Sequence, residues 1–400
     1  MYFFPRRVKS SFLSKLRVFV LDFNSKLSFL KLFALYILIF FEKIGANINS
    51  LWSRASWKSV LVSLVGNRFS INNLGNVYSI NGGKLSITQR IEKQVVEWNK
   101  KIINCHDEKT EGYITSGGTE SNLFLMWMGR EYLKLKGDSE PLLLTTNFTH
   151  YSVSKSGRIL DIDFHFVRVD KRSWGMDLVN LEKVFLRFIE KKRYLFLLPI
   201  TIGYSSTGAS DPLVKIVSLV KELKQQHPKF ECFMWVDAAA QGLPKSFLEN
   251  NFKPLQSSLI QGYVVDFHKY GDSPLPSGIV LYRGSLRKLI ETPISYLAED
   301  DSTILGSRSG ASVLAIWANI IGGNNKWRRK FIRLEKRKND LVKNLKEKNP
   351  NANILYFKNS LTFAVEVNSD LNEFSREFGD EHSFLKCDIN GFIHYKFHNQ

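Results

Sequence analysis

Four hundred residues, 44% of them hydrophobic and 24% charged, exclude a disordered or fibrous chain and leave room for one large domain with a smaller companion. The three cysteines, Cys105, Cys232 and Cys387, are scattered and form no CxxC pair, which argues against a disulfide framework or a zinc site and for a reducing compartment. A formal charge of +18 calls for an anionic partner or an anionic location.

Residues 1–65 read as a basic, partly hydrophobic arm, with ten Lys/Arg against two Asp/Glu in residues 1–60. Its stretch LSFLKLFALYILIFF (27–41) is very apolar. Ser28 and Lys31 interrupt it, however, and the unbroken run is about ten residues against the roughly 18 to 20 that span a bilayer. It lies far from the start and has no small-residue cleavage site, unlike a secretory signal. The arm is expected either to lie on an anionic membrane or to pack against protein.

After the arm, the Asn, Gly and Ser clusters of NRFSINNLGNVYSINGGKLS imply irregular backbone. ITQRIEKQVVEWNKKII predicts a helix over 87–103. GYITSGGTESNLFLMWMGREYLKLKG reads as a short turn, a Ser/Thr capping signal and a helix closed at Gly137. The strand-like runs PLLLTT, FHFVRV, YLFLLPIT, FMWVDAA, GYVVDFH and GIVLYR follow, with helical segments at 153–162, 178–189 and 213–226 among them. Strands alternating with helices predict an α/β large domain over 66–285, its mostly parallel sheet covered on both faces.

Residues 286–400 read as a small α+β domain. It opens on the basic KWRRKFIRLEKRKNDLVKNLKEK (326–348), in which Trp327, Phe331, Leu334, Leu341 and Leu345 recur at helical spacing. The charges are expected to form the wet face of this helix. Nucleic acid is not an expected partner, because no recognisable nucleic-acid module accompanies them. NILYFK, LTFAVEV, a polar helical stretch and FLKCD with FIHYKF complete the chain.

Three polar stations lie at strand ends, where open α/β sheets place ligands. In Ser116-Gly117-Gly118-Thr119-Glu120-Ser121-Asn122, glycines let backbone amides approach an anion at a helix start, so the turn is either a phosphate seat or a plain cap. Asp237 finishes the apolar run before Ala238 and Ala239, and a buried carboxylate there needs a partner. Lys269 closes VVDFHK, where partial burial would make its amine a nucleophile towards a carbonyl. Each alone has an ordinary structural reading. Together, a phosphate cradle, an Asp and a Lys in this order specify pyridoxal 5′-phosphate, with Asp237 at the pyridine nitrogen and Lys269 on the aldehyde.

The blocks INNLGN, GYITSGGTESNL, THYSVSKSGRIL, IGYSSTGASDP, WVDAAAQG, DFHKYGDSPLPSGIVLY and YLAEDDSTILGSRSG, from about residue 71 to 317, are similar to those of another group. The chain resembles the group II pyridoxal-phosphate-dependent amino-acid decarboxylases, in the branch of bacterial histidine decarboxylases and plant serine decarboxylases. The resemblance implies the fold type I architecture of the PLP-dependent transferases. It also implies that His150 stacks on the cofactor ring, that Gly118 and Thr119 bind its phosphate, and that Thr201 and His268 line the site beside Asp237 and Lys269. Ser307 and Arg308 fall in the family's segment near the active site, and a homodimer acting on a small amino acid is implied; a cytoplasmic location is expected from the cysteines, and peripheral membrane contact from the composition of the arm.

Three positions depart from the family pattern: Asp266, where many relatives have serine, Asn76 in place of an aspartate, and Ala311. Two other readings remain. SGGTES and DFHKYG also resemble a sphingosine-phosphate-lyase-like carbon–carbon lyase at a membrane, and a diverged non-catalytic relative would keep the fold alone. The THYSVSK and IGYSSTGASDP blocks favour the decarboxylase, and joint retention of Lys269, Asp237 and His150 argues for catalysis.

Overall fold

A computed structural model describes residues 55–79, 85–295, 299–348, 350, 352–366, 388–389 and 392–396. The apolar stretch 27–41, Cys387 and the polar stretch before it lie outside the described residues.

Seven strands form the main sheet: β1 (Thr110–Thr115), β2 (Leu142–Thr145), β3 (Phe164–Phe166), β4 (Leu195–Thr201), β5 (Glu231–Asp237), β6 (Ile260–Asp266) and β7 (Gly278–Arg283). They are ordered β1-β7-β6-β5-β4-β2-β3. β3, β2, β4, β5 and β6 run parallel, and β7 is antiparallel to both neighbours. The expected mostly parallel sheet is therefore present.

The uninterrupted apolar runs of β4 and β5 follow from burial on both faces. Alternate residues serve opposite cores: Phe196, Leu198, Met234 and Val236 enter one cluster, while Leu197, Phe233 and Trp235 enter the other. The helices Leu178–Glu190 and Leu213–Gln226 pack on the first face through Phe185 and Val220. The second face is crossed by the helix Gly118–Lys134 through Phe124, Leu125 and Met128. This helix comes so close that a Cβ on Gly129 would lie 2.6 Å from Leu197 Cδ2 and 2.6 Å from Phe233 Cδ1.

Several expectations are corrected. TEGYIT is a strand, not part of a turn: β1 pairs with β7 from Thr110↔Arg283 to Thr115↔Gly278. The helix after it is capped by Gly117, with no side-chain capping bond, rather than by Ser or Thr. The helix expected at 153–162 spans Tyr151–Ile159. The short helix Gly242–Leu248 was not anticipated, and neither were the longer Trp57–Arg68 and Gly310–Ile320. The longer two touch where a Cβ on Gly66 would lie 2.7 Å from Ala311 Cα, so the small residue at 311 belongs to a tight helix contact.

β8 (Thr292–Ile294) and β9 (Glu299–Asp301) form a two-stranded ribbon. The basic helix Asn324–Lys348 buries Trp327, Phe331, Leu334, Leu341 and Leu345, as its periodicity requires. Its charges are not all on a wet face. Lys330 Nζ is buried on Tyr270 O (2.8 Å) and Asp272, and Lys338 Nζ is buried between Phe357 O (2.9 Å) and Ser360 O (2.8 Å). Burial pulls the Lys338 ammonium down to about 8. β10 (Ile354–Tyr356), β11 (Thr362–Glu366), β12 (Asp388–Ile389) and β13 (Phe392–Lys396) make a separate antiparallel sheet in the order β10-β11-β13-β12. Among the described residues, no helix is long and apolar enough to cross a membrane.

Candidate active site

The carboxyl ends of the parallel strands converge on one edge of the sheet, the usual ligand position in such folds. β4 ends in Thr201, β5 in Asp237 and β6 in Asp266, and the helical turn Phe267–Tyr270 after β6 carries His268 and Lys269. β1 delivers the Ser116 to Thr119 turn, and His150 starts the helix that follows β2. An open cleft of about 400 Å³ is lined by Gly118, Thr119, His150, Thr201, Asp237, His268 and Lys269, together with Ser116, Gly117, Asn122 and Asp266. The seven residues expected to hold the cofactor therefore share one cavity.

Lys269 is 8% exposed, and its Nζ lies 3.0 Å from Asp266 Oδ2. His268 Nδ1 is 2.9 Å from the Ser277 carbonyl, which can only accept, so the imidazole proton sits on Nδ1. Burial lowers the His268 pKa against the opposing pull of the Asp266 carboxylate, which leaves the ring neutral at pH 7. Asp266 Oδ1 is buried with no hydrogen-bond partner among the described residues. It faces the glycine turn, since a Cβ on Gly118 would lie 3.6 Å from it and 3.2 Å from Oδ2.

The turn itself requires glycine. Gly117 has φ +144° and ψ −177°, and a Cβ there would sit 3.0 Å from His268 Cε1. Backbone N–H groups at the start of this 17-residue helix have no intrahelical partners, so the turn presents donors and the positive dipole end to the cleft.

Asp237 is 4% exposed and accepts from Asn122 Nδ2 (2.8 Å) and the Ala239 N–H (3.1 Å). Asn122 accepts from Trp235 Nε1 (2.8 Å) and also donates to Ser152 Oγ (3.3 Å). His150 Nδ1 meets Ser152 Oγ at 2.8 Å and the Ser152 N–H at 3.3 Å, so the imidazole caps its own helix. Thr201 Oγ1 is buried without a partner among the described residues, while its N–H donates to Asp211 Oδ2 (2.7 Å). Asp211 also accepts from Tyr204 Oη (2.6 Å) and the Met176 N–H (2.7 Å), and burial pushes its carboxyl up to about 6.

Asn122, Ser152 and Asp211 were not singled out in the sequence. All three stood inside quoted blocks without a role, and only the fold brings Asn122 and Asp237 together across 115 residues.

Two expectations do not meet the cleft. Ser307 is exposed, and its hydroxyl accepts from Asn72 Nδ2 at 3.2 Å. Arg308 is buried on Glu92, with Nη2 at 2.9 Å from Oε2 and Nη1 on Oε1, and it also donates to Ile114 O (3.2 Å) and Gly75 O. Burial works against its charge, but the Glu92 carboxylate outweighs it and raises the pKa further. Arg308 thus clamps the 70s loop to β1. Asn76 is also structural, donating to Tyr282 Oη (2.6 Å) and Ser302 Oγ (2.9 Å) away from the cleft.

Residues 49–313 match the family described as the pyridoxal-dependent decarboxylase conserved domain. The chain belongs to that family. It is 31% identical over 253 residues to a histidine decarboxylase of Klebsiella aerogenes, covering 63% of this chain and 64% of the relative. With serine decarboxylase 2 of Oryza sativa subsp. japonica it shares 28% over 251 residues, 62% of this chain and 50% of the relative. The chain thus spans less than two thirds of the length of these relatives.

Among solved structures, Oryza sativa TDC with PLP and tryptamine is similar at a TM-score of 0.73 and 15% identity, over 86% of this chain and 77% of that one. The Lactobacillus brevis glutamate decarboxylase gives 0.71 and 18%, over 86% and 80%. A Burkholderia pseudomallei sphingosine-1-phosphate lyase gives 0.73 and 15%, over 100% and 88%. At these identities the likeness shows the fold, that of the fold type I PLP-dependent transferases.

The family's cofactor is pyridoxal 5′-phosphate, and this decarboxylase-family cleft fits it. A glycine turn that a Cβ would crowd, a buried carboxylate on β5 and a lysine beyond β6 border a single space. Asp266 beside the turn has the wrong sign for a phosphate, with Lys269 at 3.0 Å as its counter-charge, and the Glu120 carboxylate in the turn is occupied by the Ser116 N–H at 2.7 Å.

Proposed function

We propose that this chain is a pyridoxal-phosphate-dependent carboxy-lyase that converts a small L-amino acid, histidine- or serine-like, to the primary amine and carbon dioxide. One observation carries the reading: Lys269, Asp237, His150 and the Gly118-Thr119 turn border the same cleft. The relatives named histidine decarboxylase and serine decarboxylase support an amino-acid substrate.

In this reading the Gly118 and Thr119 N–H groups and the Thr119 hydroxyl hold the phosphate at the helix start. Lys269 Nζ would hold the aldehyde, and His150, Thr201 and His268 would line the ring's place in the cleft. Asp237, already accepting two N–H groups, holds a proton at the pyridine nitrogen. When bound, the cofactor supplies the sink for the electron pair left as carbon dioxide departs.

The same reading takes the protein as a cytoplasmic homodimer whose residues 1–65 touch anionic membrane. Sedimentation tests the first part, and lipid flotation with and without residues 1–60 tests the second.

Purified protein given pyridoxal phosphate should absorb near the visible edge, and Lys269→Ala should not. One amino acid in a panel including histidine and serine should release carbon dioxide. A wild type that stays colourless in excess cofactor, or releases carbon dioxide from no amino acid, overturns the reading.

A further inference from the structure

We propose that Asn122 and Ser152 are positioning residues that join His150 to Asp237 and fix which of their atoms carry protons. The direction of the chain of contacts is set by two fixed donors, the Trp235 indole N–H and the Ser152 backbone N–H. Trp235 Nε1–H can only donate, so the atom 2.8 Å from it is Asn122 Oδ1. The Asn122 amide hydrogens then face Asp237 Oδ2 at 2.8 Å and Ser152 Oγ at 3.3 Å. Turning the amide over would set a carbonyl oxygen against a carboxylate and an NH₂ against the indole N–H, two repulsive contacts in a residue only 1% exposed.

With one lone pair of Ser152 Oγ engaged by Asn122, the hydroxyl hydrogen and a second lone pair remain, and the contact with His150 Nδ1 at 2.8 Å uses one of them. The Ser152 backbone N–H, a donor whatever the tautomer, reaches the same nitrogen at 3.3 Å. Nδ1 is therefore an acceptor, and the imidazole proton sits on Nε2. The imidazole serves as a helix cap only in this state, because a proton on Nδ1 would face the N–H it now accepts.

This proposal rests on the cofactor reading for its purpose. A neutral imidazole would leave the proton that Asp237 would hold at the pyridine nitrogen undisturbed, whereas an imidazolium beside the ring would repel it. The positive end of the Tyr151–Ile159 helix also disfavours an imidazolium at its start. One asparagine thus serves both groups: it keeps an N–H on Asp237 and, through Ser152, keeps the proton off His150 Nδ1.

The test reads the tautomer directly and needs neither cofactor nor turnover. Protein carrying ¹⁵N-histidine is compared as wild type, Asn122→Ala, Ser152→Ala and Ser152→Thr, with the His150 signals assigned from their loss in His150→Gln. Wild type and Ser152→Thr, which keeps the hydroxyl, should show a single neutral form protonated on Nε2. Ser152→Ala, left with only the backbone N–H of residue 152 on Nδ1, should add a measurable share of the Nδ1-protonated form, and Asn122→Ala, which frees the hydroxyl to turn, should add a smaller one. If Asn122→Ala does not fold, the pair Ser152→Ala and Ser152→Thr decides the matter. A wild type protonated on Nδ1, or a Ser152→Ala spectrum identical to wild type, overturns the proposal. Failure of the cofactor reading is distinguishable, since it appears as a colourless wild type whatever the tautomer.

Discussion

Gly117→Ala tests whether the turn before the long helix is built for an anion. Gly117 has φ +144° and ψ −177°, a region essentially closed to other residues, and a Cβ there would come 3.0 Å from His268 Cε1. Holding alanine in that conformation costs on the order of 1–3 kcal/mol. The cost must appear somewhere. Either the turn keeps its shape and the protein loses that stability, or the peptide rotates, the N–H groups leave the cleft, and affinity for pyridoxal phosphate falls by roughly 5- to 150-fold for the same energy. Urea unfolding of the cofactor-free protein measures the first, and titration of the visible-edge band measures the second. The two losses should together account for the strain. Gly118→Ala is the comparison, with an ordinary backbone and a Cβ at 3.1 Å from Ala239 Cβ. A Gly117→Ala protein with wild-type stability and wild-type cofactor affinity would refute the assignment of this turn.

Asp211 makes a pH prediction. Burial lifts its carboxyl to about 6 in the folded state, so its contribution to stability is fully present below about pH 4, is lost as pH rises through about 6, and is constant above. The change amounts to roughly 3 kcal/mol, and Asp211→Asn should flatten that part of the stability profile. Arg308→Ala should cost about 3–5 kcal/mol in chemical unfolding by stranding Glu92 in the interior; a loss below about 1 kcal/mol would contradict a buried clamp. Gly129→Ala gains about 1 kcal/mol of helix propensity, but its methyl would press on Leu197 and Phe233. It should be net destabilising by thermal unfolding, and a raised Tm would show that the helix can lift from the sheet.

The parts of the fold that read clearly from the chain are those whose physics is local. β4, β5 and β6 are apolar runs because both faces are buried, and the helix Leu213–Gln226 is observed at the bounds its periodicity predicts. β1 was missed because Glu111 and Gly112 interrupt its pattern: it is an edge strand held by β7 alone. The Gly117 cap was misread as Ser/Thr because the chain shows which residues can cap, not which backbone angles a ligand turn takes. The cleft residues were legible as polar groups ending strands, whereas Asn122 and Ser152 resembled ordinary helix-start polar residues. Arg308 was placed near the site by family resemblance, and its ion pair with Glu92, 216 residues away, is a contact that local pattern cannot show. The Lys330 and Lys338 ammonium groups look solvated in sequence, and only the carbonyls supplied by distant loops explain their burial.

The most direct measurement is covalent. Protein incubated with pyridoxal phosphate is reduced with borohydride, digested, and its peptides weighed. Lys269 should carry the cofactor's added mass, in one-to-one stoichiometry, and Lys269→Ala should carry none. Label on a different lysine, or on no lysine at all, would contradict the account at its centre.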